Sequence, residues 1–133
     1  NDMSSFVAKE FAEYISNAGH DINTSSILIL GLTFKENCPD TRNSKVFDLI
    51  QHLKTTVGSI DVYDPWANDI NDSSVNYLQC LDYKIKYHGI LLAVGHEEFV
   101  QIGSTKIKSM LHSHGIFYDL KSVFKKNESN VRL

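Results

Sequence analysis

Apolar residues recur at helical spacing from the start of the chain. Val7, Phe11, Tyr14/Ile15 and Ala18 form a stripe, and Gly19 follows as a stop signal. The period then changes. Ile27 to Leu30 is a continuous β-rich apolar run between Ser25-Ser26 and Gly31, the pattern of a strand buried on both faces. A polar stretch from Thr33 to Asn43 shows no periodicity. A second amphipathic helix carries Val46, Ile50, Leu53 and Val57 on one face and is closed by Gly58. Ser59 to Tyr63 predicts a second strand, ended by Asp64-Pro65, where proline removes a ladder donor. Residues 67–86 read poorly and are expected to hold a short helix and a short strand. Gly89 to Val94 is the third buried strand. Glu97 to Ile102 predicts a short helix, and Ser104 to His112 another, with Ile107, Met110 and Leu111 apolar and Gly115 as its stop. Ile116 to Asp119 is the fourth strand, and the polar tail from Lys125 to Leu133 is expected to fray.

Strands alternating with helices predict βαβ crossovers and a parallel sheet, hence an α/β fold. Ligands of such sheets bind beyond the carboxyl ends of the strands. Four loops therefore matter: those after Leu30, Tyr63, Val94 and Tyr118. The chain opens inside a helical pattern, so it is expected to be part of a longer protein. The stripe of its first helix is expected to pack on a preceding unit, with this domain's own sheet as the alternative.

Composition narrows the classes. The 133 residues suffice for one domain with its own core, and 42% hydrophobic with 22% charged residues is ordinary for a globular chain. A formal charge of -3 argues against a broad nucleic-acid surface, so any anion site must be local. The longest apolar run, Gly89 to Gly95, is too short to span a bilayer. Cys38 and Cys80 form no CxxC pair and no disulfide framework, which suits a reducing cytoplasm. Neither has a positioned base in view, so no nucleophile is expected.

The loop after Leu30 carries the most chemistry. Gly31-Leu32-Thr33-Phe34-Lys35-Glu36-Asn37-Cys38-Pro39-Asp40-Thr41-Arg42-Asn43-Ser44 is neither a GxGxxG fingerprint nor a Walker A loop. It nevertheless places a strand-end glycine, Lys35, Arg42 and helix-capping residues just before a helix, where free N–H groups attract anions. A solvated loop with incidental charges is the alternative. Asp64 is read either as a ribose contact or as the cap of an Asp-Pro turn. His96 is read as a ligand contact or as a cap or packing residue. Asp119 either orients the loop that carries Lys121 or merely caps it, and Trp66 either faces a partner or covers the sheet edge. His112-Ser113-His114 offers two imidazoles without an evident third ligand, so no metal is expected.

The run GLTFKENCPDTRNSKVFDLI resembles the opening of the last domain of the UDP-glucose/GDP-mannose dehydrogenase family, in the form of its UDP-N-acetylhexosamine branch. Val62-Tyr63-Asp64-Pro65, Ala93-Val94-Gly95-His96-Glu97-Glu98-Phe99 and Tyr118-Asp119-Leu120-Lys121 resemble its later segments in order. The resemblance implies a Rossmann-like parallel sheet with helices on both faces. Residues 1–21 would be the end of a central helical dimerisation domain, and 22–133 the UDP-sugar-binding domain. It implies an enzyme that oxidises the C6 alcohol of a UDP-sugar to the uronic acid with two NAD, serving surface polysaccharide or capsule synthesis in the cytoplasm, as a homodimer through the central helix. Phe34, Lys35 and Lys121 would meet the substrate, and Arg42 would reach the NAD. Family members often carry arginine at the Lys121 position; lysine keeps the charge without the bidentate geometry. The family's catalytic cysteine and GxGxxG loop lie before the central helix, so this stretch alone would bind NAD little and catalyse nothing. A non-catalytic α/β nucleotide-binding or assembly module is the other reading. A phosphorylated receiver fits less well, because Gly95-His96 follows the third strand.

Overall fold

The structure, a computed structural model, describes residues 2–67, 70 and 74–133. Among these, one sheet holds β1 (Ser26–Leu30), β2 (Ser59–Tyr63), β3 (Asn76–Tyr77), β4 (Tyr87–Leu92), β5 (Leu111–Asp119) and β6 (Val131–Arg132). Its order is β3-β2-β1-β4-β5-β6, and every pairing is parallel. Among the described residues four α-helices accompany it, α1 (Asp2–Asn17), α2 (Val46–Lys54), α3 (Glu97–Ile102) and α4 (Ser104–Lys108), with short 3-10 turns at Ile22–Thr24 and Lys126–Glu128. This is the doubly wound order, with the direction of winding reversing between β1 and β4.

The continuous apolar runs are explained by two cores. Ile27, Ile29 and Leu91 point into one, with α1 and α2, while Leu28, Leu30, Ile90 and Leu92 point into the other, with Phe99, Ile107 and Met110 of the α3–α4 side. Alternate residues of each strand thus serve opposite layers.

The stripe of α1 does not wait for a unit outside the chain. Phe11 and Ile15 are wholly buried on this domain's own sheet. Gly89 in β4 makes the room: a β-carbon there would stand 2.6 Å from Ile15 Cδ1 and 2.7 Å from the Phe11 ring. Glu10 accepts a 2.6 Å hydrogen bond from the Tyr118 hydroxyl in β5. Tyr14 lies off the buried face at 41% exposure, and Met3 and Phe6 are more exposed still.

Two other expectations are corrected. The second short helix stops at Lys108, not His112. Leu111 already pairs with Tyr87, and the ladder resumes at Gly89 with Ile116 after an irregularity in which His114 takes a φ of 61°. Ile107 and Met110 are both buried, as a helix would place them, and one closing turn past α4 meets the same spacing. The tail is also ordered. Val131 pairs with Tyr118, Asn130 bonds Phe117 through backbone and side chain, and Glu128 accepts hydrogen bonds from Lys125 N–H and the Ser104 hydroxyl. Between 67 and 86 the expected strand is β3. Residues 68, 69 and 71–73 lie outside the described residues, and no helix occurs among the described ones of that span.

Candidate functional site

The loop after β1 starts with a forced glycine. Gly31 has a φ of 102°, and a β-carbon on it would come within 2.6 Å of Val94 Cβ, so the ends of β1 and β4 meet only across a bare backbone. The next two amides, of Leu32 and Thr33, donate to Asp64 Oδ2 at 2.6 and 3.0 Å. Asp64 Oδ1 accepts from Trp66 N–H at 2.7 Å, the local cap expected of an Asp-Pro turn. With its side chain 1% exposed and both oxygens engaged, Asp64 is not presented to a ribose. Burial raises its pKa, but hydrogen bonds from His96, Leu32 and Trp66 outweigh this and hold it below the ordinary carboxylate value.

His96 lies behind the same loop, fully buried. Its Nδ1 accepts the Asn37 amide at 2.8 Å, so the ring proton sits on Nε2, 2.9 Å from Asp64 Oδ2 and 3.1 Å from Thr33 Oγ1. Trp66 stacks on the imidazole with centroids 6.0 Å apart and donates to Glu98, so it covers this edge of the sheet. His96 is a packing and hydrogen-bonding residue.

Phe34, Lys35 and Lys121 line one cleft of about 340 Å³ between the β1 loop, the start of α2, the ends of β4 and β5, and the first turns of α1. Its volume is in the range of small-ligand sites. Phe34 stands at its edge, 53% exposed. Lys45, the residue that caps the start of α2, adds a third cation that the sequence reading passed over, although it stands in the same charged run. Three lysines and a single carboxylate, Glu36, line the cleft in a chain whose overall charge is negative, so the excess of positive charge is local. The start of α2 adds the positive end of a helix dipole.

The Lys121 loop is tied down as firmly as the Lys35 loop. Asp119, fully buried, accepts from Val123 N–H at 3.2 Å and Phe124 N–H at 2.9 Å. Ser122 is held at a φ of 53°, a region unfavourable for serine, and its hydroxyl accepts from Arg132. Asp119 therefore orients the loop that carries Lys121. Arg42 is not part of the cleft lining. Its exposed guanidinium makes a two-pronged contact with Asp40 at 3.0 and 3.1 Å, which lowers the pKa of Asp40 and raises that of Arg42. His112, expected beside His114, lies instead against His88 in a tilted ring contact, and His88 also contacts His20.

This geometry suits a phosphorylated ligand with an apolar or aromatic part. It does not suit the pyrophosphate of a dinucleotide in the usual Rossmann turn. That turn needs free amides after β1 and a free acid after β2, and here the two are bonded to each other. Fold and cleft thus define an α/β domain with a lysine-bordered cleft at the carboxyl ends of its central strands. Residues 28–126 match the family described as UDP-glucose/GDP-mannose dehydrogenase family, UDP binding domain, and the chain belongs to that family. It is 35% identical to UDP-N-acetyl-D-glucosamine 6-dehydrogenase of Salmonella typhi, across all of this chain and 32% of that protein. With the enzyme of the same name from Pseudomonas aeruginosa the identity is 33%, over 98% of this chain and 32% of that one. The structure of the UDP-D-ManNAc dehydrogenase of Pyrococcus horikoshii superposes with a TM-score of 0.76 at 25% identity, covering 93% of this chain and 28% of that one. The chain therefore spans about a third of the length of these relatives.

Proposed function

We propose that this chain is the nucleotide-holding domain of an NAD-dependent UDP-sugar 6-dehydrogenase, acting on a UDP-N-acetylhexosamine. The observation that carries the reading is the meeting of Phe34, Lys35 and Lys121 in one cleft at the switch point of a domain of this family. The lysines bind the diphosphate as point charges, and Phe34 borders the space left for the rest of the nucleotide. Oxidation itself belongs to parts of the enzyme outside this sequence, which supply the nicotinamide site and the nucleophile. Arg42, held out by Asp40, is the residue that reaches toward the NAD. Residues 1–21 belong with a central, dimer-forming helical unit and 22–133 form the UDP-sugar domain. One helix serves both, with Phe11 and Ile15 on this sheet and the exposed Met3, Phe6 and Tyr14 on its outer side.

Calorimetric titration with UDP tests this. The chain is expected to bind UDP saturably, and Lys35→Ala to bind it roughly tenfold or more weakly, the size of one lost charge-assisted hydrogen bond. UDP binding that Lys35→Ala leaves untouched, or no binding at all, would overturn the proposed role of the cleft.

A further inference from the structure

We infer that His96, which lines no part of the cleft, is the positioning residue that sets Lys35 for the nucleotide phosphates; this rests on the function proposed above. The direction of every proton in the connection follows from its neighbours. Asn37 N–H occupies Nδ1, so Nε2 carries the ring hydrogen. Thr33 Oγ1 donates to the Lys35 carbonyl at 3.1 Å, and its lone pairs face Nε2 at 3.1 Å. Asp64 Oδ2 accepts from the same Nε2 while holding the Leu32 and Thr33 amides. One buried ring therefore grips the loop on both sides of Lys35, at Thr33 through Nε2 and at Asn37 through Nδ1.

The grip is returned from the other side. Asn37, at a φ of 56°, accepts Glu97 N–H through its side chain at 2.9 Å, which staples the loop to the start of α3. Lys35 and its neighbours Phe34 and Glu36 are exposed, so no apolar packing of their own fixes them. Their placement comes from the hydrogen bonds beneath. A ligand that meets a loop already fixed does not have to order it, and that saving appears as affinity. The network makes His96 matter to binding, although its ring touches nothing in the cleft.

The test compares UDP affinity with amide hydrogen exchange in three variants. His96→Gln keeps a donor for Asp64 and Thr33, whereas His96→Leu keeps neither donor nor acceptor. Thr33→Val leaves the His96–Asp64 pair intact and cuts both links of the Thr33 hydroxyl, to His96 Nε2 and to the Lys35 carbonyl. His96→Leu is expected to weaken UDP binding about tenfold, the usual loss when a supporting contact is removed. Exchange at the amides of Thr33 and Asn37 should speed up while Ile29 and Leu91 in the sheet stay protected. His96→Gln should recover most of the affinity, and Thr33→Val should lose it with the sheet unchanged. If His96→Leu unfolds, the other two variants still decide. Affinity that tracks only global sheet protection, or Thr33→Val binding UDP like the unaltered chain, would reduce His96 to a structural residue and overturn the inference. An unaltered chain that takes up no UDP would instead overturn the nucleotide reading beneath it.

Discussion

At the scale of single residues, the two strand-end aspartates do the organising. Asp64 holds the loop of Lys35 and Asp119 the loop of Lys121, each by backbone amides donated to a buried carboxylate. Asp64→Asn keeps the shape but turns an acceptor into a donor that faces other donors. It is expected to destabilise the fold by about 2 kcal/mol, the scale of hydrogen bonds to a charged group. Urea denaturation measures this, and an unchanged midpoint would show the clamp to be dispensable. The sequence offered the local half of the Asp64 story, since Asp-Pro announces a capped turn. It could not offer the other half, because Leu32 and Thr33 lie about thirty positions earlier and become neighbours only when β1 and β2 pair. Phe34, Lys35 and Lys121 were legible as candidates through the resemblance. Lys45 was not singled out, because a lysine before a helix reads as solvated surface until the cleft is seen.

At the scale of elements, α1 decides how much of the sheet is covered. It lies over β4 and β5 on the same face that α2 shares, and its seat depends on the missing side chain of Gly89. Phe11→Ala should cost about 3–5 kcal/mol as a buried aromatic truncation. Gly89→Ala should cost about 1–3 kcal/mol by overpacking against Phe11 and Ile15. The two share one contact, so the double variant should be less destabilised than the sum of the single ones. A strictly additive cycle in denaturant titrations would mean that α1 is seated elsewhere. The helical period made α1 visible in the sequence but left its partner open, since a stripe does not name the surface that it meets. The same ambiguity misplaced the end of α4. Ile107, Met110 and Leu111 satisfy a helix equally well when the last of them starts a strand. β6 was missed because Val131 carries most of its burial, and a two-residue edge strand has no period to read.

At the scale of the whole molecule, the alternation of strands and helices gave the fold class, but the placement of titrating groups came only with the structure. They sit at opposite ends of the sheet and predict an acid limb with two separate steps. At the amino-terminal end, His88 Nδ1 accepts Ser26 N–H at 2.9 Å, and the ring stands between His112 and His20 at 4.4 and 4.9 Å. Burial, then His112, then His20 push its pKa down. The unfolded chain therefore takes up that proton first, near an ordinary value of about 6.5. Stability should begin to fall as pH drops through that value and stop falling, on this account, below the depressed folded value. At the carboxyl end, Asp64 is a carboxylate whose folded pKa is lowered. Its contribution is fully present above an unfolded value of about 3.9 and is lost as pH falls through the folded one. Urea midpoints measured from neutral to strongly acidic pH should show both declines. His88→Gln should remove the upper step alone, because a neutral amide cannot charge against the neighbouring imidazoles. Asp64→Asn should flatten the lower one. A single step that neither variant alters would mean that the two ends of the sheet do not govern how this domain meets acid.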